Sequence, residues 1–574
     1  MRILFLTRSF NSLTQRLYVA LAERGHEVSI EYDIADSVTA EAVEAFVPDL
    51  IVAPFLTRAL PGSIWRNHVC LIVHPGIIGD RGPSALDWAI MNGEREWGVT
   101  VLQAIAEMDA GPIWASATFP LRPAQKSSLY RNEVTDAAEQ AVLRAVERFA
   151  MRTYRPVPLA QARARGQARP QMTQEERRID WACDKMEVIL RKIRAADGAP
   201  GVQDDLFGVP CYLYDAHAEQ LSVPEVPGTI VARRDGAVLR AAVDGGVWIG
   251  HAKRLDGALA YKLPVALAFP AEVHALPASQ VAFDVPTDGT GYREIRYEEV
   301  DAVGYLHFPF YNGAMSTAQC ARLLAAYSFA LARPTRVLVL MGGPDFWSNG
   351  IHLNVIEAAE SPADESWRNI NAIDDVMRAI LETRDRITVA ALQGNAGAGG
   401  VFMALAADHV WARRGVILNP HYKNMGNLYG SEYWTYLLPR RVKHSPPQAV
   451  MEQRLPLSAK AAHELGLVDA VFGDDHVDFV AAVMGRARAL AASSEIESFI
   501  QRKRVARARD EAAKPLAAYR AEELSEMRRN FYGFDPSYHV ARSHFVHKTP
   551  PSWTPRHLAL HRDRARPRPP AASA

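Results

Sequence analysis

Residues 71–113 read LIVHPGIIGDRGPSALDWAIMNGEREWGVTVLQAIAEMDAGPI, and the punctuation of this stretch decides the fold. Val69 to Val73 is an apolar run that predicts a buried strand. His74-Pro75-Gly76 ends it, since Pro and Gly break a strand ladder, and His74 is left at the carboxyl end. In open α/β sheets ligands sit at that edge. A glycine-bearing loop, Gly79 to Gly82, carries Asp80 and Arg81. Ser84 is then predicted to cap a helix over Ala85 to Asn92, which Gly93 ends. A second strand, Val99 to Ala104, leads to Met108-Asp109-Ala110-Gly111-Pro112, so Asp109 also lies beyond a strand end. A His and an Asp on two loops at one sheet edge suit a general acid/base pair. Taken alone, such residues more commonly satisfy loop hydrogen bonds.

Working outward, Ile3 to Leu6 reads as the first strand of a parallel sheet. Leu13, Leu17 and Leu21 mark the apolar stripe of a helix ending near Gly25, and strands follow at Val28 to Tyr32 and Leu50 to Ala53. The pattern is doubly wound α/β. The first turn has no G-x-G-x-x-G, which argues against a dinucleotide cofactor. A helix from about Ser128 to Thr153 closes this part.

HPGIIGDRGPSALDWAIMNGE, then GVT, then MDAGPI, resembles the folate-dependent formyltransferases, including the methionyl-tRNA type. The resemblance implies a Rossmann-like domain over 1–168, 10-formyltetrahydrofolate as formyl donor, and His74 and Asp109 as catalytic residues. It breaks at one place. The family's Asn falls on Ile72, whose side chain offers no hydrogen bond to a tetrahedral intermediate.

A hinge rich in Arg, Ala, Pro and Gln spans roughly Arg155 to Met172. Beyond it RRIDW (177–181), RKIRA (191–195), Pro200-Gly201 and PGTIV (227–231) resemble the C-terminal domain of the same formyltransferases. Short strands at Tyr212 to Tyr214, Thr229 to Ala232 and Val238 to Val243 predict a small OB-like β-barrel over 169–280. Its role is read as mainly structural.

From about Tyr297 the composition changes. Ser316 is predicted to cap a helix through Ala332, and the strand Arg336 to Leu340 runs to Met341-Gly342-Gly343. SNGIHL (348–353) follows, then a helix from about Asn369 to Arg384. The strand Ile387 to Leu392 leads into QGNAGAGG (393–400) and a helix over Val401 to Ala407. Glycines before a helix N-terminus let backbone N–H groups approach developing negative charge. SNGIHL and QGNAGAGG, with LPRRV (438–442) and SAKAAHELGLVDAVF (458–472), resemble the crotonase (enoyl-CoA hydratase/isomerase) superfamily. By resemblance the N–H groups of Ile351 and Gly399 form an oxyanion hole for a thioester carbonyl. Gly350 and Gly400 belong to the same coenzyme A-binding loops, in a domain over 281–545 that ends in helices.

The hydratase's two catalytic glutamates fall on Phe402 and Tyr422, so water addition has lost its acid and base. In exchange NPHYKNMGNLYGSE (419–432) brings Tyr422 to a catalytic position and Glu432 to a family glycine. A first-turn carboxylate favoured by the helix dipole is the structural alternative for Glu432. His421 and Tyr429 read as pocket lining. Glu497 to Arg529 is a charged helical stretch, read chiefly as a solvated face. The residues from 546, ending RDRARPRPPAASA, read as a disordered basic and Pro-rich tail over 546–574.

The 574 residues carry 65 basic and 65 acidic side chains. Zero net charge gives no global field for nucleic acid. Cys70, Cys183, Cys211 and Cys320 have neither metal spacing nor a disulfide framework, so no metal is expected and a reducing cytoplasm is. No run approaches the roughly 20 apolar residues of a membrane helix. A folate formyltransferase fused to a thioester domain resembles the HoxX-type maturation factors of [NiFe]-hydrogenases. That family implies synthesis of carbon monoxide for the metal site. The formyl group passes from 10-formyltetrahydrofolate to coenzyme A, and formyl-CoA is then decarbonylated. His74 and Asp109 would serve the first step, Tyr422 and Glu432 the second, with acid and base undecided between the latter two. The hydrogenase large subunit or other maturation proteins are the implied macromolecular partners. Two alternatives remain: a formyltransferase acting on an amine beside an inert crotonase-like module, and a non-catalytic scaffold.

Overall fold

Six segments of the first 120 residues form one sheet: β1 (Arg2–Thr7), β2 (Glu27–Tyr32), β3 (Leu50–Phe55), β4 (Cys70–His74), β5 (Glu96–Gln103) and β6 (Ile113–Pro120), in spatial order β2-β1-β3-β4-β5-β6. This is seen in a computed structural model that describes residues 1–220, 225–257, 259–286, 291–443 and 445–564. β1 to β4 are parallel. The apolar runs of β1, β3 and β4 reflect burial on both faces, as parallel strands require, whereas β2 at the edge alternates polar and apolar residues. The helices around them include α1 (Ser12–Ala22), α2 (Asp36–Phe46), α3 (Ala85–Met91) and α4 (Thr135–Ala150). β5 runs antiparallel to β4, with Thr100 opposite His74 and Gln103 opposite Leu71. It therefore ends beside the start of β4. Contrary to the expectation of one shared sheet edge, Asp109 leaves β5 at the opposite end from His74 and returns to it on the loop 104–112.

The predicted hinge is instead a strap on the glycine loop after β4. The N–H groups of Arg165 and Gly166 donate to the Ile78 carbonyl at 3.0 Å, and that of Arg169 to the Arg81 carbonyl at 3.0 Å. A Cβ at Gly82 (φ +115°) would overlap the Arg169 carbonyl, and one at Gly166 the Asp80 nitrogen. These glycines serve close packing. Ser84 does not cap α3 with its side chain; its Oγ accepts from the Met172 N–H at 3.1 Å.

The C-terminal segment also departs from its composition. Part of the segment expected to be disordered docks on β2, the edge strand of the first sheet. The Ile30 N–H donates to the Leu558 carbonyl at 2.9 Å and the Tyr32 N–H to Thr554 Oγ1 at 2.8 Å. Glu31, fully buried, meets His561 Nε2 at 2.8 Å, Arg562 at 2.9 Å and the Thr554 hydroxyl. An edge strand offers unpaired backbone groups, and the tail occupies them. Composition pointed to disorder because the compensating partner is remote in sequence; residues 565–574 lie outside the described ones. Burial alone would raise the Glu31 carboxyl, but the bonds from His561 and Thr554 and the Arg562 charge hold it below its ordinary value. Its contribution is thus present above the unfolded carboxylate pKa and lost as pH falls. Glu31→Ala, which strands His561 and Arg562, is expected to cost about 3 kcal/mol of tail docking. Limited proteolysis should release the C-terminal segment roughly a hundredfold faster.

The chain divides into two units, Met1–Asp180 with Glu187–Asp204 and Pro550–Ala574, and Trp181–Met186 with Asp205–Thr549. The second unit opens with antiparallel strands β7 (Val209–Glu219), β8 (Ile230–Arg234), β9 (Ala237–Ala242) and β10 (Gly245–Arg254), neighbouring as β7-β10-β9-β8. A further sheet takes β11 (Arg296–Val300), β12 (Val303–His307), β13 (Val337–Gly342), β14 (Ile387–Leu392), β15 (His409–Arg413) and β16 (Ala470–Phe472) in consecutive order. After the β11–β12 hairpin its pairs are parallel. Period-two alternation divides its core: Leu338 and Leu340 face one apolar cluster, while Val337, Val339 and Met341 face another.

The helices of this sheet are α5 (Thr317–Leu331), α6 (Leu353–Ala358), α7 (Pro362–Glu382), α8 (Gly399–Leu405) and α9 (Trp434–Arg441), followed by α10 (Ile496–Ala513) and α11 (Leu516–Tyr532). Ser316 caps α5 in a capping box with Gln319, as its sequence predicts. α7 begins earlier than expected, at a Ser361 cap with Pro362 in its first turn. The charged stretch forms α10 and α11, and one of its residues, Glu523, turns inward to full burial. Among the described residues no helix is long and apolar enough to cross a membrane.

Candidate functional site

In the first unit the site is built where β4 stops. Trp97 Nε1 donates to the Pro75 carbonyl at 2.9 Å and Thr100 Oγ1 to the Gly76 carbonyl at 2.8 Å, fixing the turn that follows His74. A Cβ on Gly76 would strike the His74 ring and the Asp80 carboxyl, so glycine is required by close approach. His74 is buried between two carboxylates. Nε2 lies 3.0 Å from Asp80 Oδ1, within hydrogen-bond range, and Nδ1 lies 3.6 Å from Asp109 Oδ2. Asp109, held at φ 53°, also accepts the Gly82 N–H at 3.2 Å. The expected His74–Asp109 pair thus comes together, but the hydrogen-bonded partner is Asp80, which sequence reasoning left as a loop residue. Its other oxygen, Oδ2, is buried with no hydrogen-bond partner among the described residues. An imidazole with a carboxylate at each nitrogen is equipped to take and return a proton. Ile72 shares the His74 face of β4 and packs on the apolar cluster of Leu4 and Ile51, so no hydrogen-bonding side chain stands there.

The second constellation lies at the N-terminus of α8. Gly350 (φ +76°) faces the Gly399 backbone: a Cβ on it would sit 3.3 Å from the Gly399 nitrogen. Ile351 follows Gly350 and bridges to Met315. Gly399 opens α8, where the helix geometry leaves its N–H without an intrahelical acceptor. Gly400 is explained by packing, because a Cβ would overlap the Ser348 carbonyl. Gly399 is explained by Glu432: a Cβ there would overlap Glu432 Oε1. The carboxyl therefore rests against the expected oxyanion hole.

Glu432 Oε2 accepts the Tyr422 hydroxyl at 2.6 Å and the Ser431 N–H at 3.1 Å. The Tyr422 ring stacks on Phe402 at 5.4 Å, so the two positions vacated by hydratase glutamates hold a stacked aromatic pair. A Cβ on Gly430 would overlap that ring. Burial first, then the Asp374 charge, pushes the Glu432 carboxyl up to about 8. Burial and the Glu432 charge push the Tyr422 phenol well above its ordinary value. His421 is buried, and Tyr429 packs its ring on Trp434 at 5.3 Å.

The amino-acid sequence is similar to known proteins in three stretches and as a whole. Residues 1–146 match the formyl transferase family, 171–260 the formyl transferase C-terminal domain, and 306–556 the enoyl-CoA hydratase/isomerase family. The hydrogenase maturation factor HoxX of Bradyrhizobium diazoefficiens is 55% identical over 99% of this chain and 98% of its own. The chain belongs to the HoxX family of hydrogenase maturation factors. The crystal structure of HypX from Aquifex aeolicus, in complex with tetrahydrofolic acid, shares 50% identity and a TM-score of 0.94 over 98% of this chain and 99% of that one. Methionyl-tRNA formyltransferase of Halalkalibacterium halodurans is 27% identical over 37% of this chain and 67% of its own.

Three residues that flank the two constellations in this HoxX-family chain, Asp80, Asp374 and Glu523, were not singled out from sequence as site residues. Asp80 had a local signal, a carboxylate in the glycine loop six positions after His74. Asp374 and Glu523 had none, being one acidic residue among many on charged helices.

Proposed function

We propose that this protein makes carbon monoxide for a [NiFe]-hydrogenase metal site in two steps, one in each constellation. The observation that carries the reading is the Glu432 carboxyl, bonded to Tyr422 and lying against Gly399 at the start of α8. A formyl thioester has no α-carbon, so a base beside its carbonyl has only the formyl proton to remove. We take residues 1–168 as the formyl-transfer domain, 169–280 as its accessory domain and 281–545 as the thioester domain.

In the first step the formyl donor is 10-formyltetrahydrofolate, in keeping with the tetrahydrofolic acid held by HypX of Aquifex aeolicus. His74, held by Asp80 and Asp109, takes the proton of the coenzyme A thiol as sulfur bonds to the formyl carbon. It returns the proton to the folate nitrogen as the carbon–nitrogen bond breaks. Coenzyme A is consumed here and regenerated in the second step, where it supplies the leaving sulfur.

In the second step the N–H groups of Ile351 and Gly399 fit a thioester carbonyl oxygen and polarise it. Glu432 is the base. Its proton affinity near neutrality is matched to the work, whereas the Tyr422 phenolate is out of reach. The C–H pair stays on carbon, the C–S pair leaves on sulfur, and the proton passes through Glu432 and Tyr422 to the thiolate. The products are CO and free coenzyme A, with no change in overall oxidation state and no further reactant. Because the base must be ionised, CO release is expected to rise with pH through about 8 and to fall tenfold per unit well below it. A pH–rate series on formyl-CoA checks this.

The deciding experiment supplies the purified protein with 10-formyltetrahydrofolate, with and without coenzyme A, and traps CO on a reduced haem protein. CO that depends on coenzyme A is the expected result. Folate turnover without CO would leave a formyltransferase with an amine acceptor, and assays on amines would then identify it. A hydrogenase large subunit or another maturation protein is the proposed recipient.

A further inference from the structure

Glu432 sits in a backbone conformation that needs support. It and Tyr433 have φ of 62° and 56°, two successive left-handed residues neither of which is glycine. Each such residue costs about 1 kcal/mol or more and persists only where its surroundings over-determine it. The surroundings here are two buried carboxyl groups from separate helices. On α7, Asp374 Oδ1 accepts the Glu432 N–H at 3.0 Å and Oδ2 the Ser431 hydroxyl at 2.9 Å. On α11, Glu523 accepts the Tyr433 N–H at 2.8 Å, the Thr435 N–H at 2.8 Å and the Thr435 hydroxyl at 2.5 Å, so it caps α9 from outside. Both side chains are fully buried.

We propose that Asp374 and Glu523 are positioning residues that clamp Glu432 in this turn and, by their negative charge, keep its carboxyl a strong enough base to take a formyl proton. α11 lies in the charged stretch that reads as a solvated surface in sequence; it would instead build the catalytic turn. The inference rests on the role proposed above for Glu432.

Among the described residues the groups facing Glu432 come from three helices and its own segment. From its own segment come Tyr422 and Ser431. α7 contributes Asp374, with Asp375 beside it, and α11 contributes Glu523. α5 contributes the buried Cys320 thiol, itself pushed up by burial and then by the Glu432 charge. The cation that meets this acidic group is Arg520 on α11. Its Nε stands 3.6 Å from Asp374 Oδ2, and its Nη1 pairs with Asp375 at 2.6 Å. Among the described residues no cation pairs with Glu432 itself, and the charges that act on its carboxyl, those of Asp374 and Glu523, are negative. Burial pushes Asp374 up to about 7 and Glu523 to about 8. The three carboxyls therefore compete for protons in one window, as coupled groups do.

Two substitutions separate geometry from charge. Asp374→Asn keeps an acceptor for the Glu432 N–H and removes the charge; Asp374→Ala removes both. In the full chain, D374N is expected to lower the midpoint of the pH–CO release profile by about one unit, a tenfold drop in proton affinity, while holding KM for formyl-CoA. D374A is expected to lose CO release. E523Q should lower the midpoint as well and stands in if D374N does not fold. A midpoint unmoved in D374N and E523Q, with only thermal stability changed, would overturn the proposal and leave both residues structural. Titration of the Glu432 carboxyl by carbon-13 NMR without substrate, assigned by its loss in E432Q, is read alongside. If the wild-type protein releases no CO, the decarbonylase reading fails, yet a shifted NMR midpoint still upholds the charge clamp and an unshifted one still refutes it.

Discussion

Glu432→Gln is expected to lower CO release from formyl-CoA by about a thousandfold, close to 4 kcal/mol of transition-state stabilisation. Gln preserves the volume beside Gly399 and an acceptor for the Tyr422 hydroxyl, so the turn should hold while the base is lost. Formyl transfer from 10-formyltetrahydrofolate should persist, with formyl-CoA accumulating until it hydrolyses. Tyr422→Phe keeps the stack on Phe402 and removes the hydroxyl. It should impair CO release less, because the carboxylate remains and only the return of the proton to sulfur is slowed. Full CO release by E432Q would refute the assignment, and single-turnover CO trapping is sensitive enough to decide.

The opposite pattern is expected at the other constellation. His74→Ala should lower folate-dependent formyl transfer by about a thousandfold. CO release from formyl-CoA supplied directly should stay at the wild-type rate, since no second-step residue is touched. Asp80→Asn should reduce transfer as well, because the group within hydrogen-bond range of His74 Nε2 loses its charge. Asp109→Asn acts from 3.6 Å and also weakens acceptance of the Gly82 N–H. Losses in D80N and D109N rank the two carboxylates, which their spacing in sequence does not. Equal loss of both half-reactions in H74A would contradict the separation of steps.

Legibility differed sharply between residues. His74 was legible because an apolar run stopped by Pro and Gly must leave its last residue at a strand end. Glu432 and Tyr422 were legible only as departures from a resembled pattern, a Tyr where that pattern has a glutamate and a Glu where it has a glycine. The direction of β5 was not legible, since strand propensity carries no sign, and Asp109 was therefore given the wrong route to His74. The glycines at 82, 166 and 400 each approach backbone so closely that a Cβ would overlap it, a contact with partners that no local pattern shows. Ser84 had the right type for a cap, yet its hydroxyl meets Met172, which follows it by 88 positions. The tail had the composition of a disordered segment, but Glu31 offers it a buried partner 530 positions away.

By itself the sequence determined the alternation of strands and helices, the two glycine-bearing loops, and the resemblances that join a formyltransferase to a thioester fold. Those features are local. They depend on side-chain period, on residues that stop a ladder, and on short motifs whose members are neighbours along the chain. Only the tertiary structure decided that Asp80 bonds His74, that Asp374 and Glu523 surround Glu432, and that the C-terminal segment covers an edge of the first sheet. Such pairings come from helices packing on a sheet, which brings together residues that no local propensity relates. Burial then gives them their chemistry, because a carboxyl removed from water among other carboxyls holds its proton to a pH that no single residue's type foretells.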